Sequence, residues 1–152
     1  MIDIPDVAKL RERIGQDVAV SDWLLVTQER IDRFAGATED EQWIHVNPAR
    51  AAAESPFKTT IAHGFLTLSL LSALSRRAMG FSRIRMAVNY GMNRVRFMSP
   101  VPAGSRIRGR FVPIAVDEVG GGIQVTWGVT IEREDWDKPC CVAEWIVRYH
   151  PQ

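Results

Sequence analysis

Cysteine is scarce in this chain of 152 residues: there are two, adjacent as Cys140 and Cys141. Neighbouring cysteines rarely bridge, so the chain carries no disulfide framework, and it has no CxxC pair for zinc. The doublet reads as two small apolar residues buried in a late strand, and the low count suits a reducing cytoplasm. Charge of one sign is lacking too, with 19 basic against 18 acidic residues and a formal net charge of +1. That balance supplies no whole-molecule field for nucleic acid or an anionic membrane, so an anionic ligand has to be met by a local basic patch. Long hydrophobic runs are also missing. The richest, Phe65 to Leu74, is about half of a membrane span. The N-terminus MIDIPDVAKLRERIGQD scatters charges where a signal peptide has its apolar stretch. A cytoplasmic protein with no membrane and no nucleic-acid partner is the expectation.

Familiar catalytic signatures are absent as well. There is no GxSxG elbow, no HExxH, no GxGxxG and no P-loop, so neither a metal nor a separate cofactor is expected.

What is present is ample core material, 46% hydrophobic residues, without repeats or Gly/Ser linkers. One domain over residues 1–152 follows. Val7, Leu10 and Ile14 predict a short helix over 5–14, and Val18 to Val26 reads as a strand. Thr27 is the N-cap of a helix that decays in Gly36 to Glu41. Asn47-Pro48 opens another that ends at Ser55-Pro56, with Pro at the first helical position. His63-Gly64 then opens a helix over about 64–79, apolar or small on nearly every face through Leu74. Such a helix is one that other elements wrap. From residue 83 the pattern switches to strands at 83–98, 105–117, 122–134 and 139–149, separated by short turns, the middle one Gly120-Gly121-Gly122. Sequential strands after one buried helix give an α+β domain with an antiparallel sheet curled round the helix.

Three histidines are candidates for chemistry. His150, near the terminal Pro-Gln, reads as a solvated surface residue. His45 and His63 each stand at a helix entrance among apolar residues, where a lone histidine is usually structural. Company changes the reading. Asp40 lies just upstream of His45, and Trp43 and Ile44 between them seek burial, which would draw both flanking groups towards a protected pocket. A carboxylate and an imidazole converging on one water make an acid/base pair. Taken alone, Glu39-Asp40-Glu41 is equally a solvated acidic run. Gly64 offers a free N–H at the positive end of the buried helix, suited to a thioester oxygen gaining enolate charge; equally, it permits a tight turn or close packing. The arginines 83, 85, 94, 96, 106, 108 and 110 fall largely on alternate strand positions. They read as a solvated face, and a few of them as contacts to coenzyme A phosphates.

The segment Ala37-Thr38-Glu39-Asp40-Glu41-Gln42-Trp43-Ile44-His45-Val46-Asn47 resembles the hydratase motif of MaoC-like dehydratases, the (R)-specific enoyl-CoA hydratases. Thr60 to Leu68 is similar to that family's entry into its central helix, and Val95 to Gly104 to its long strand and turn. The blocks come in family order, and the resemblance covers roughly residues 20 to 150. Glu39 stands where the family usually has Gly, and Gln42-Trp43 where it usually has Asn-Pro. The Gln-Trp-Ile-His variant resembles a nodulation protein N-like sub-branch.

The resemblance implies a hot-dog fold, a homodimer joined edge to edge, and hydration of an acyl-CoA thioester. In that reaction a trans-2-enoyl-CoA becomes an (R)-3-hydroxyacyl-CoA, with coenzyme A entering only as part of the substrate. Asp40 would act as base on a water that His45 orients, His45 would protonate C2, and Gly64 N–H would hold the enolate. A hot-dog acyl-CoA thioesterase and a non-catalytic acyl-ligand-binding module are the alternatives. The first is weakened by the lack of Asp or Glu from Phe65 to Ala78.

Overall fold

The computed structural model describes residues 1–152. A two-residue strand β1 (Ile2–Asp3) leads into the short helix expected over 5–14, which is a 3-10 helix over Val7–Arg13; Asp6 caps it by accepting from Ala8 N. The stretch read as one strand over 18–26 splits into β2 (Ala19–Val20) and β3 (Leu24–Val26). Between them Ser21 exchanges main-chain and hydroxyl bonds with Gly109, and the chain then lifts away at Asp22 and Trp23. Three helices follow: α1 (Gln28–Thr38), α2 (Trp43–Val46) and α3 (Pro48–Glu54). Thr27 Oγ1 accepts from Arg30 N and Asn47 Oδ1 from Arg50 N, so both N-caps fall where the sequence puts them.

The central helix is two pieces, α4 (Gly64–Ser69) and α5 (Leu71–Ala78), meeting at Leu70. The ladder continues across the joint through Leu70 N to Leu66 O and Leu74 N to Leu70 O. After β4 (Met79–Gly80) come the long strands β5 (Ile84–Phe97), β6 (Ser105–Val119), β7 (Gly122–Arg133) and β8 (Cys141–Pro151). The antiparallel sheet runs β2-β6-β7-β8-β5, with β3 also on β6, while β1 and β4 form a separate parallel pair. Register shifts along β5 and within β6–β7 bend the strands, as bulges do, and let the sheet curl around α4 and α5.

The concave face supplies Ile107, Phe111, Val125, Trp127, Val129, Ile131 and Val147 against Leu66, Leu70, Leu71, Leu74 and Ala78. Gly109 lets the helix come close, since a Cβ there would lie 3.2 Å from Leu74 Cβ and 3.0 Å from the Phe111 ring. The helix is not apolar-buried all round. Phe65, in its first turn, is 69% exposed and sits edge-on to Phe97 of β5 at 6.3 Å between centroids. His150 is likewise not in a loose tail. It belongs to β8, pairs with Met86, and donates from Nδ1 to the Gly121 carbonyl at 3.1 Å.

Both cysteines are buried, and burial first, with Cys140 second, pushes the Cys141 thiol up to about 11. On the convex face Arg106 pairs with Glu134, Arg108 with Glu132 at 2.6 Å, and Arg110 with Glu132 at 3.1 Å and Asp17 at 2.9 Å. These arginines are committed to acids across the sheet. No helix is long and apolar enough to cross a membrane.

The two sides of the central helix make opposite predictions. Leu74→Ala, at a site of 0% exposure, should cost about 2–5 kcal/mol in urea unfolding. Phe65→Ala should stay within about 0.5 kcal/mol. Equal costs would mean the helix is turned otherwise.

Candidate active site

Helix α1 ends at Glu39, whose left-handed backbone (φ 60°) turns the chain outward, so that Asp40 to Gln42 form an exposed loop before α2. Trp43 and Ile44 are half-buried, and His45 beside them is 7% exposed. The pull towards cover therefore holds for His45. It fails for Asp40, whose side chain stays exposed because the turn at Glu39 carries it to the rim.

The two motif segments are stitched together by main chain. Ile61 N–H donates to the Ile44 carbonyl at 3.1 Å, and the Ile61 carbonyl accepts from His45 Nδ1 at 2.7 Å. Thr60 to Ala62 is in turn fastened to the turn after β5, through Ala62 N to Val101 O and Ala103 N to Thr60 O. From α1, Gln28 donates to the His45 carbonyl at 2.7 Å and accepts from the Thr60 hydroxyl. A carbonyl only accepts, so His45 Nδ1 carries a hydrogen, and Nε2 of the neutral ring is the free lone pair.

His63 completes the cluster. It is 2% exposed, its ring stacks on His45 with centroids 3.9 Å apart and planes 25° apart, and its Nε2 donates to the Asp40 main-chain carbonyl at 2.9 Å. One ligand-type atom each from Asp40, His45 and His63 lies within 4.8 Å of the others. The sequence thus brings Asp40 and His45 together as expected and adds a histidine that had been assigned no role. Its signal was only that it precedes Gly64 at the helix entrance. Gln28 and Thr60 gave no signal at all.

A divalent cation is poorly served by this trio. Near-parallel rings keep their in-plane lone pairs in nearly parallel planes rather than aiming them at one point.

Burial, above all, pushes His45 below the usual 6.5; the Ile61 hydrogen bond opposes this, His63 adds to it, and Asp40 opposes it. His45 is therefore neutral at pH 7. Gly64 begins α4, and its N–H lies in the first turn, where no intrahelical partner exists. A cavity of about 320 Å³ opens beside it, walled by Phe57, Ile61, Thr67, Phe97, Val101 and Cys140. The site thus sets a neutral acceptor nitrogen, a carboxylate at the rim and a free helix N–H beside an apolar pocket whose wall includes Ile61 and Gly64 but neither Asp40 nor His45. That set suits proton transfer beside a polarised carbonyl.

The chain matches the model of the MaoC-like domain over residues 9–134. It is 51% identical over 144 residues to 3-hydroxyacyl-thioester dehydratase Z of Mycobacterium tuberculosis, covering 94% of this chain and 95% of that one. It is 53% identical to nodulation protein N of Rhizobium leguminosarum, covering 92% and 88%. Among solved structures, the R-hydratase PhaJ1 of Pseudomonas aeruginosa superposes with a TM-score of 0.73 at 20% identity, covering 91% of this chain and 83% of that one. The (R)-hydratase of A. caviae gives 0.70 at 23%, covering 88% and 94%. With a family match across most of its length and relatives at half identity, this chain belongs to the MaoC-like dehydratase family and has its hot-dog fold.

Proposed function

We propose that this enzyme adds water to trans-2-enoyl-CoA thioesters to give (R)-3-hydroxyacyl-CoA, and catalyses the reverse dehydration. The observation that carries the reading is the Asp40 carboxylate within 4.8 Å of the His45 and His63 ring atoms, His45 itself being buried and neutral with Nε2 unclaimed. The relative named a 3-hydroxyacyl-thioester dehydratase supports the substrate class. Coenzyme A is part of the substrate, and no separate cofactor enters.

One water donates its two O–H groups to Asp40 and to His45 Nε2, leaving its lone pairs free to attack C3 of the enoyl thioester. The O–C3 bond forms, the C2=C3 π pair moves into the thioester as an enolate, and Gly64 N–H receives the growing negative charge. The proton released by the water passes to the pair, and His45 returns a proton to C2 on the same face. Water's elements have then been added and the pair is restored. Sequence reasoning gave Asp40 the base's part. A bare Nε2 makes His45 an acceptor too, so the proton belongs to the pair.

A second copy of the chain fits the free edge of β5, which hydrogen-bonds only to β8 and exposes Met86, Val88 and Tyr90. Edge-to-edge pairing would satisfy those main-chain groups and cover that apolar strip. A cytoplasmic location accords with this chemistry.

Asp40→Asn and His45→Gln should each lower hydration of crotonyl-CoA about 10²–10⁴-fold, read as loss of conjugated-enoyl absorbance beside a thiol-release assay. Wild-type rates in either folded variant would remove the assignment, and thiol release would instead mark a thioesterase. The pH profile follows from His45. Protonation fills Nε2, and the folded-state pKa lies below 6.5, so kcat/KM should be flat at neutral pH and fall only below that value. An acid limb above 6.5 would contradict a buried neutral imidazole.

Gly64 admits a cleaner test. It is the first residue of its helix, and His63 before it has φ −58° and ψ 140°, which suits a residue preceding proline. Gly64→Ala adds a Cβ 2.9 Å from the Phe97 ring but keeps the N–H; Gly64→Pro adds the same Cβ and removes it. Proline should cost about 10²–10³-fold more in kcat than alanine. Equal losses would acquit the N–H.

A further inference from the structure

We propose that His63 is the positioning residue of this site: an imidazole that does not meet substrate but fixes the Asp40 segment and the His45 ring relative to each other. The inference rests on the hydratase reading only for its rate measurements.

His63 touches every part of the site. Its Nε2–H holds the Asp40 carbonyl at 2.9 Å, which anchors an otherwise exposed loop residue from behind. Its ring stacks on His45, and Phe34 of α1 closes the other side at 5.0 Å, tilted by 56°. As the residue before Gly64 it also sets where the helix N–H begins. An apolar ring would fill the same volume without burying polar nitrogens. Yet Nδ1 of His63 is buried with no protein partner, a costly choice that calls for a reason. The Nε2–H, aimed at one carbonyl, supplies it.

His63 acts on His45 electrostatically as well. Two imidazoles at this separation do not both take up a proton cheaply. The charged or titratable groups facing His45 are His63 and Asp40, which act in opposite senses. The segment ending in Ile61 offers only its carbonyl, and α1 offers the uncharged Gln28, itself bonded to Asp32. Removing His63 therefore takes away the smaller of the two causes that hold His45 down, burial being the larger, and lets His45 protonate at higher pH.

The test uses two variants of the full chain, checked for folding by circular dichroism. His63→Gln keeps an N–H that can reach the Asp40 carbonyl; His63→Phe keeps a ring and loses the donor. With trans-2-enoyl-CoA, His63→Phe should lower kcat about 10²-fold with KM nearly unchanged, and His63→Gln should recover about tenfold of that loss. The His45 Cε1–H resonance should titrate at higher pH in His63→Gln than in the unsubstituted protein. Full kcat in His63→Phe overturns the proposal. So do equal losses in both variants with an unmoved His45 titration, the mark of a merely structural residue. Should neither variant fold, ring ¹⁵N shifts of the unsubstituted protein decide: hydrogen on Nε2 of His63 and Nδ1 of His45 supports the proposal, and the opposite tautomers overturn it. The resonance measurements need no turnover, so an unsubstituted enzyme inactive on enoyl-CoA would defeat the hydratase reading and leave this one standing.

Discussion

Two imidazole rings, each donating one hydrogen to a main-chain carbonyl and each lying on the other, are the constraint around which the site is organised. A backbone carbonyl is a fixed point, so a ring bonded to one has its tautomer and orientation set before any ligand arrives. Here the two carbonyls belong to opposite segments. His45 reaches to Ile61 and His63 reaches back to Asp40, so the loop after α1 and the entrance to α4 are cross-braced. Neither segment can shift without dragging the other's imidazole.

The brace needs a foundation, and the curled sheet provides it. Val101 and Ala103 grip Thr60 to Ala62, while α4 and α5 are held in the sheet's concavity by a continuous apolar core. Gln28 then ties the first turn of α1 to both segments. The geometry of the candidate site is thus set at the N-terminal end of a buried helix, where the packed part of the fold meets an open rim. That division explains why His45 is dry and Asp40 is wet within one site: one side chain belongs to the packed scaffold and the other to its edge.

Much of this was legible locally. The caps at Thr27 and Asn47, the four long strands and the Gly120-Gly121 hairpin turn all follow from short-range chemistry that tertiary packing did not override. Asp40, His45 and Gly64 were legible as a pattern, though which of them is shielded was not, because exposure depends on the turn at Glu39. His63 was seen and left without a role, since a histidine among apolar residues looks the same whether it packs or braces. Gln28 and Thr60 were invisible. They are 32 residues apart, and their meeting depends on how α1 lies across the site. The break at Leu70 and the exposure of Phe65 also escaped, because periodicity reports which residues are apolar and not which of them their neighbours leave uncovered.

The convex-face charge ladder has a bearing on how the chain finds its pairing. The β6–β7 hairpin turns on Gly120 and Gly121, residues that restrain the backbone little, so the turn by itself permits the strands to slide. A slide of two residues keeps every side chain on its proper face, and hydrophobic patterning alone does not penalise it. In the native register Arg106 and Arg108 meet Glu134 and Glu132, and Arg110, opposite Thr130, reaches diagonally to Glu132; a slide that brings Arg108 opposite Thr130 carries Arg110 opposite Gly128 and away from Glu132. The ladder works as a ratchet, resisting slippage in one direction between alignments that the core alone would treat as equal.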